Sequence, residues 1–226
     1  MVAGLVCAVL PATAATAPTT LACPPPQAAV AEAFFSADCA DCWSAPPSTA
    51  AAGNTWRFDW ISPGGGDAPL AAGALPEAAE RAQRLGAAPA TSPAPARLQA
   101  AGKALPGLRL RVTSGPAWQG YFGVQLSLAA ASSSTLPTGA TAWLALVERV
   151  PAGSDGTPIN RALVRSVAGP LPLDALKPGK AMTPMTHLRA LRWPAGAEPT
   201  RLQARAWIET PDGRLLAVAA DACPVR

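Results

Sequence analysis

The chain has 226 residues, of which 50% are hydrophobic and only 14% are charged, and it contains 19 Gly, 26 Pro and a single His. This abundance of turn-forming residues argues against a helical bundle, and one His excludes a multi-histidine metal centre. The net charge at pH 7 is +4, but the arginines are spread out, and no basic run would follow a phosphate backbone. We therefore expect no nucleic-acid partner. We also expect no metal and no cofactor.

An apolar run at residues 2–10 comes first, and small residues follow it. The run has the length of a signal-peptide core, it is too short to span a bilayer, and Ala-x-Ala-like cleavage sites come after it. We interpret residues 1–22 as the signal peptide of an exported protein; the alternative is an ordinary buried N-terminal strand. No later stretch is long and apolar enough to cross a bilayer, so we expect no transmembrane segment in the mature protein.

Export changes the interpretation of the cysteines, because Cys7 would leave with the leader. Four cysteines would then remain in an oxidising compartment: Cys23, Cys39, Cys42 and Cys223. An even number of cysteines in such a compartment favours disulfides. Cys39 and Cys42 are the natural local pair, which leaves Cys23 to form a disulfide with Cys223 near the other end of the chain.

Residues 20–23 also resemble a bacterial lipoprotein box, in which Cys23 would be lipidated and become the first residue. That motif has Leu three places before the cysteine, where this chain has Thr20. Lipidation would also leave Cys223 as a free thiol. We therefore favour the Cys23–Cys223 disulfide over a lipid anchor at Cys23.

The next part of the chain has the order strand, CxxC motif, strand and helix. Residues 28–37 and 55–61 predict strands. Residues 75–85 predict a helix, because Pro76 stands near its first turn and basic residues stand near its end. This order is typical of the start of a βαβα arrangement.

Ala, Pro, Ser and Thr dominate residues 87–105, so we interpret this segment as a linker between a domain at 23–86 and a domain at 106–226. In the second domain, apolar and polar residues alternate with a period of two, which marks strands buried on one face. Strands are expected at 108–113, 122–128, 140–150, 159–167, 182–193, 201–208 and 214–220. Short strands separated by Gly and Pro predict an antiparallel β-sandwich.

The Cys39-Ala40-Asp41-Cys42 motif is the main candidate for chemistry. Two intervening residues let the sulfurs meet across one helical turn, and a helix N-terminus stabilises the thiolate that attacks in thiol–disulfide exchange. Cys39 would then be the exposed nucleophile and Cys42 the buried resolving thiol. Asp38 and Asp41 oppose thiolate formation, so an inert structural disulfide stays open as the alternative.

A strand, a CxxC motif and a proline five residues later, here Pro47, resemble the thioredoxin fold. The longer order of the chain resembles the secreted bacterial domain of unknown function 1223 family. The matching segments are AEAFFSADCADC (31–42), WRFDW (56–60), GGGDAP (64–69) and NRALVRSV (160–167). The resemblance implies a periplasmic or secreted bacterial protein with a thioredoxin-like front and a β-rich back. We therefore predict an α+β fold, in which a small, degenerate thioredoxin-like α/β domain precedes the antiparallel β-sandwich.

Other side chains in the two domains have two interpretations each. Asp59 ends the second predicted strand and would act as a proton acceptor for Cys42 or be a satisfied carboxylate. Trp118, Tyr121 and Phe122 would line a ligand groove or, more simply, pack in the core.

Two functions are consistent with these features. In the first, Cys39 and Cys42 are a catalytic redox pair that exchanges disulfides with protein dithiols or disulfides in the periplasm. In the second, the protein is a non-catalytic binding or scaffold module that is stapled by its disulfides, and the surface of the sandwich is its interaction surface.

Overall fold

The structure is a computed structural model of the chain, and it describes residues 29–46, 55–99, 107–131, 136–173 and 184–221. Three sequence predictions lie outside the described residues: the signal peptide at 1–22, the Cys23–Cys223 disulfide and the position of Pro47. In the part of the chain that is described, no helix has the length and apolar character needed to cross a bilayer.

The described chain is mostly β. Its helices and strands are β1 (Ala29–Ser36), α1 (Ala40–Ser44), β2 (Thr55–Ser62), α2 (Pro76–Arg84), β3 (Arg97–Gln99), β4 (Leu108–Trp118), β5 (Tyr121–Ala130), β6 (Thr141–Val150), β7 (Arg161–Pro172), β8 (Met185–Arg192), β9 (Leu202–Glu209) and β10 (Leu215–Ala220), with short 3-10 turns at Ala71–Gly73 and Pro199–Arg201. They form a seven-stranded sheet in the order β10-β9-β6-β7-β2-β1-β3 and a three-stranded sheet in the order β4-β5-β8. β2 runs parallel to both β1 and β7, and the other strand pairs are antiparallel.

The predicted fold class, a thioredoxin-like α/β domain followed by a separate antiparallel sandwich, is wrong. Strands from both predicted halves belong to one curled, mixed sheet, because β2 pairs in parallel with β7 at Asp59 and Leu163. β3, which lies inside the predicted linker, pairs with β1 in the same sheet. The physical reason is that β1 and β2 are buried along nearly their whole length, and a strand buried on both faces also needs hydrogen-bonded neighbours on both edges.

One face of the seven-stranded sheet is lined with aromatic side chains. The ring centre of Trp207 on β9 lies 5.5 Å from that of Phe58 and 6.4 Å from that of Trp60, both on β2. Two strands, β6 and β7, lie between β9 and β2 in the sheet. The sheet must therefore curl so that its two sides meet around this cluster. Helix α2 closes the concave side with Ala78 and Ala82, which are fully buried. Each aromatic pair adds about 0.5–1.5 kcal/mol beyond the area that it buries.

The opposite face of the same sheet carries two layers side by side. The three-stranded sheet packs Val124 and Leu126 of β5 against Leu144 and Leu146 of β6. Helix α1 packs beside it, on the side chains that β1, β2 and β7 turn to this face. The cysteine motif therefore packs on buried side chains of β1, β2 and β7, near the end of the seven-stranded sheet that contains β1 and β2.

An ion cluster is buried on the aromatic face. Arg81 of α2 donates from Nε and Nη2 to the two carboxylate oxygens of Glu32, at 3.0 Å each, and from Nη1 to Glu209. The indole N–H groups of Trp60 and Trp207 donate to Glu32 and Glu209, respectively. Burial lowers the pKa of the Arg81 guanidinium, but the two carboxylates outweigh burial, so that the pKa lies above its ordinary value.

Arg205 on β9 is also buried, but no carboxylate lies within 4.0 Å of it among the described residues. Its Nε donates to Gln203 at 3.1 Å, its Nη1 donates to the carbonyl of Arg57 at 2.8 Å, and its guanidinium lies 4.8 Å from the ring centre of Trp56. Burial, reinforced by the charge of Arg149, lowers the pKa of Arg205 to about 10.

We expect Arg205→Met to raise the free energy of unfolding at pH 7 by about 1 kcal/mol, because it removes a charge whose burial is not compensated by a carboxylate. The native guanidinium loses its proton near pH 10, whereas the unfolded one keeps it to higher pH, so the stability of the parent protein rises with pH in that window. The advantage of the variant should therefore shrink between pH 9 and 11. Urea unfolding of both proteins across this range measures it, with the exposed Arg214→Met as the control. A loss of stability at pH 7 would contradict the prediction.

Candidate functional site

The Cys39 and Cys42 side chains lie where β1 ends and α1 begins. Their sulfurs are 2.02 Å apart, at disulfide-bonding distance, and their Cα atoms are 5.3 Å apart. Cys39 is the N-cap of α1, and the backbone N–H of Cys42 donates to the Cys39 Sγ at 3.2 Å. The local pair that the sequence predicts is thus held across the first turn of a helix.

Both cysteines are buried, with Cys39 7% exposed and Cys42 2% exposed. The prediction that Cys39 would be exposed is wrong, although Cys39 is the less buried of the two. Buried side chains of the seven-stranded sheet pack against the pair, among them Phe35 of β1 and Ile61 of β2. Access to the disulfide is therefore narrow.

The two sulfurs meet opposite kinds of backbone group. The Cys39 Sγ faces a donor, the N–H of Cys42, whereas the Cys42 Sγ lies 3.7 Å from an acceptor, the carbonyl oxygen of Ala90. Ala90 is fixed in this position because its N–H donates to Phe34 and its carbonyl accepts from Ser36, both at 2.9 Å. No local pattern indicates this contact, since Ala90 lies in the predicted linker.

Asp38, the acidic residue before the motif, is held by hydrogen bonds from two neighbouring segments. Its carboxylate accepts a hydrogen bond from Ser36 Oγ at 3.1 Å and another from the backbone N–H of Gly65 at 2.9 Å. A Cβ at Gly64 would lie 2.5 Å from the Asp38 carboxylate, so a larger residue at this position would have to displace that carboxylate. The triple-glycine turn thus binds the loop before the motif.

Arg161 of β7 holds the other end of α1. Its Nη2 donates to the carbonyl oxygens of Cys42 at 3.1 Å and Ala45 at 2.8 Å, and also to that of Trp43. A cation beside the last carbonyls of a helix stabilises groups that would otherwise lack partners. Burial lowers the pKa of Arg161, and the charge of Asp59 opposes that shift.

Asp59 of β2 has no free oxygen for proton transfer. It accepts from the Nε of Arg57 at 2.7 Å, from the Nη1 of Arg161 at 3.4 Å and from the backbone N–H of Ala162 at 2.8 Å. Of its two interpretations, the structure favours the satisfied carboxylate over a proton acceptor for Cys42. Sequence reasoning missed Arg161, because its partners lie about a hundred positions earlier in the chain and nothing local distinguishes it from the other arginines.

Helix α1 separates two openings in the surface. The smaller, about 80 Å³, lies beside Cys42 and is lined by Arg57, Arg161 and the segment 93–96. The larger, about 240 Å³, lies beyond Trp43 and has an ion pair at its floor, in which Arg165 Nε lies 3.0 Å from Glu148 Oε2. The opening beside the motif is therefore small, and Cys42 is the cysteine that lines it.

In the described part of the chain, no three His, Cys, Asp or Glu side chains lie close enough together to hold a metal ion. The four segments on which the family resemblance rests form β1 with α1, most of β2, the turn that binds Asp38, and the first part of β7. In comparisons with known proteins, no family model, no curated protein and no solved structure matches the chain.

Proposed function

We propose that the protein exchanges thiols and disulfides with other proteins through Cys39 and Cys42, in a bacterial periplasm or after secretion. The observation that carries the proposal is the pair of unlike backbone groups at the two sulfurs: an N–H at Cys39 and a carbonyl at Cys42. In a reduced pair, the N–H stabilises a thiolate on Cys39, and the carbonyl accepts a hydrogen bond from a protonated Cys42. One cysteine is thereby prepared as the nucleophile and the other as the resolving thiol.

The exchange then has two balanced steps. The Cys39 thiolate attacks a disulfide of the partner protein, a mixed disulfide forms, and one partner sulfur leaves as a thiolate. Cys42 next attacks the Cys39 sulfur, its proton goes to the departing partner sulfur, and the Cys39–Cys42 disulfide forms. Two electrons pass from the cysteine pair to the partner, and the reverse sequence oxidises a partner dithiol.

The burial of both sulfurs favours a second candidate function, the disulfide-stapled binding or scaffold module. In that case, the disulfide would only fasten α1 to the end of β1, and an incoming thiolate would not reach it. Inert structural cysteines are characteristically buried, whereas reactive ones are partly exposed. The two candidate functions therefore differ in two measurable properties of the Cys39–Cys42 disulfide, its accessibility and its reduction potential.

Equilibration of the protein with glutathione redox buffers decides between them. For an exchange protein, we expect a reduction potential between about −270 and −120 mV, whereas a structural bridge lies below about −300 mV. Reduced Cys42→Ser should trap a mixed disulfide at Cys39 with an unfolded protein substrate whose own cysteines are joined in disulfides, and the matched reduced Cys39→Ser should trap far less. A low potential, with no trapping by either variant, would leave the stapled module as the function.

A further inference from the structure

The three-stranded sheet turns one face away from the rest of the molecule. Its strand registers place the same set of alternate side chains on this face, which we call the outer face: Arg109, Arg111, Thr113 and Trp118 of β4, Tyr121, Gly123, Gln125 and Ser127 of β5, and Thr186, Leu188, Ala190 and Arg192 of β8. The opposite set, with Val124 and Leu126, packs on the seven-stranded sheet. A strand of 11 residues makes the outer face about 35 Å long and about 10 Å wide.

Large apolar side chains on the outer face are open to solvent. Trp118 is 75% exposed, Leu188 is 66% exposed and Tyr121 is 48% exposed. Trp118 and Tyr121 pair across the β4–β5 hairpin, where Gln119 and Gly120 form the turn with positive φ. Of the three aromatic residues that the sequence suggested for a groove or for the core, only Phe122 packs inward. Such a group on one flat face is typical of an interaction surface.

The charge of the outer face has one sign. Arg109, Arg111 and Arg192 lie on it, and none of them is in an ion pair with a described residue. The sequences of β4, β5 and β8 contain no Asp or Glu. The arginines therefore flank the exposed apolar side chains with no acidic residue of these strands between them.

We infer that the outer face docks on a bilayer surface whose phospholipid headgroups carry negative charge. Trp and Tyr partition to the boundary between headgroups and acyl chains, and Leu188 inserts beside them, while arginines keep their guanidiniums at the phosphates. A bare polyanion would use the cations and stack on the aromatic rings, but it offers nothing to the exposed Leu188 on β8. The combination of aromatic, aliphatic and cationic groups on one plane matches the layers of an anionic membrane surface.

The test is sedimentation of the purified chain with vesicles, either of phosphatidylcholine alone or of equal parts phosphatidylcholine and phosphatidylglycerol. We expect binding to the anionic vesicles that weakens as salt rises, and little binding to the neutral ones. Each arginine near an anionic surface contributes about a fivefold change in partitioning, so Arg109→Ala combined with Arg111→Ala should weaken binding by about 25-fold. Trp118→Ala should weaken binding while leaving its salt dependence unchanged.

The control is Arg149→Ala, which removes one exposed positive charge from β6 on the other sheet and should leave partitioning within about twofold of the parent. These variants alter exposed side chains, and the melting temperature of each is to be measured beside that of the parent as the check that it is folded. Equal binding to neutral and anionic vesicles, no binding to either, or the same loss in Arg149→Ala would overturn the proposal. Binding to a single-stranded oligonucleotide that exceeds the binding to anionic vesicles would overturn it in favour of a polyanion.

Discussion

Arg81→Met lowers the free energy of unfolding by about 3–5 kcal/mol, the largest effect we expect from a single substitution. Arg81 is the only described cation within 4.0 Å of either Glu32 or Glu209, and all three side chains are buried. Methionine fills a similar volume, so the loss comes from two carboxylates left without their counter-charge rather than from a cavity. The indole N–H groups of Trp60 and Trp207 remain, and they compensate only part of the charge.

Urea unfolding of the variant measures this loss, and Arg84→Met is its matched control. Arg84 stands on the same helix with its guanidinium 4.1 Å from the ring centre of Trp143, but it forms no ion pair with a described residue. We expect Arg84→Met to cost about 1 kcal/mol or less. A triple variant that also carries Glu32→Gln and Glu209→Gln should recover part of the lost stability. Equal losses in Arg81→Met and Arg84→Met would refute this account of the cluster.

Arg161→Met is the second large effect, and it reaches the disulfide. The substitution leaves Asp59 with one cation, Arg57, and removes the donor that three carbonyls of α1 share. Breaking such a buried pair costs about 3–5 kcal/mol. Because α1 carries Cys42, loosening its C-terminal end should also let a thiolate reach the disulfide more often. We therefore expect both lower stability in urea and faster reduction by dithiothreitol under native conditions.

Arg57→Met separates these two effects. Arg57 binds the same carboxylate as Arg161, but it donates no hydrogen bond from its side chain to α1 among the described residues. Arg57→Met should therefore lower the free energy of unfolding. For the same loss of stability, however, it should speed disulfide reduction less than Arg161→Met does. If both variants speed reduction in proportion to their loss of stability, global unfolding opens the disulfide, and Arg161 has no special hold on it.

Local patterns in the sequence predicted the elements well. The predicted helix at 75–85 is α2, and the alternation at 122–128 and 201–208 belongs to β5 and β9. The period of two reports which side of a strand is buried, and that property depends only on neighbouring residues. The cysteine pair is local for the same reason, because its sulfurs are joined by one turn of chain.

Strand partners and the far side of the site could not be predicted in this way. Composition shows that residues 87–105 lack an apolar core of their own, but it does not show that β2 and β7 on either side of them pair. The single register contact of those two strands, Asp59 with Leu163, joins residues that no local pattern relates. Arg161 of β7 reaches the cysteine motif through that long-range arrangement, and Ala90 reaches it by backbone hydrogen bonds to Phe34 and Ser36 of β1. The error in fold class and the missed site residues therefore share one kind of cause, backbone pairing between distant parts of the chain.

That pairing also sets an order of events while the chain is being made. β2 ends at Ser62 and β7 begins at Arg161. About 100 residues must therefore be synthesised after β2 before β7 is present to pair with one of its edges. At about 5–20 residues per second, ribosomal synthesis takes about 5–20 s to supply them. During that interval, β2 is an aromatic-rich strand with one unpaired edge, and such an edge is prone to pair with other chains.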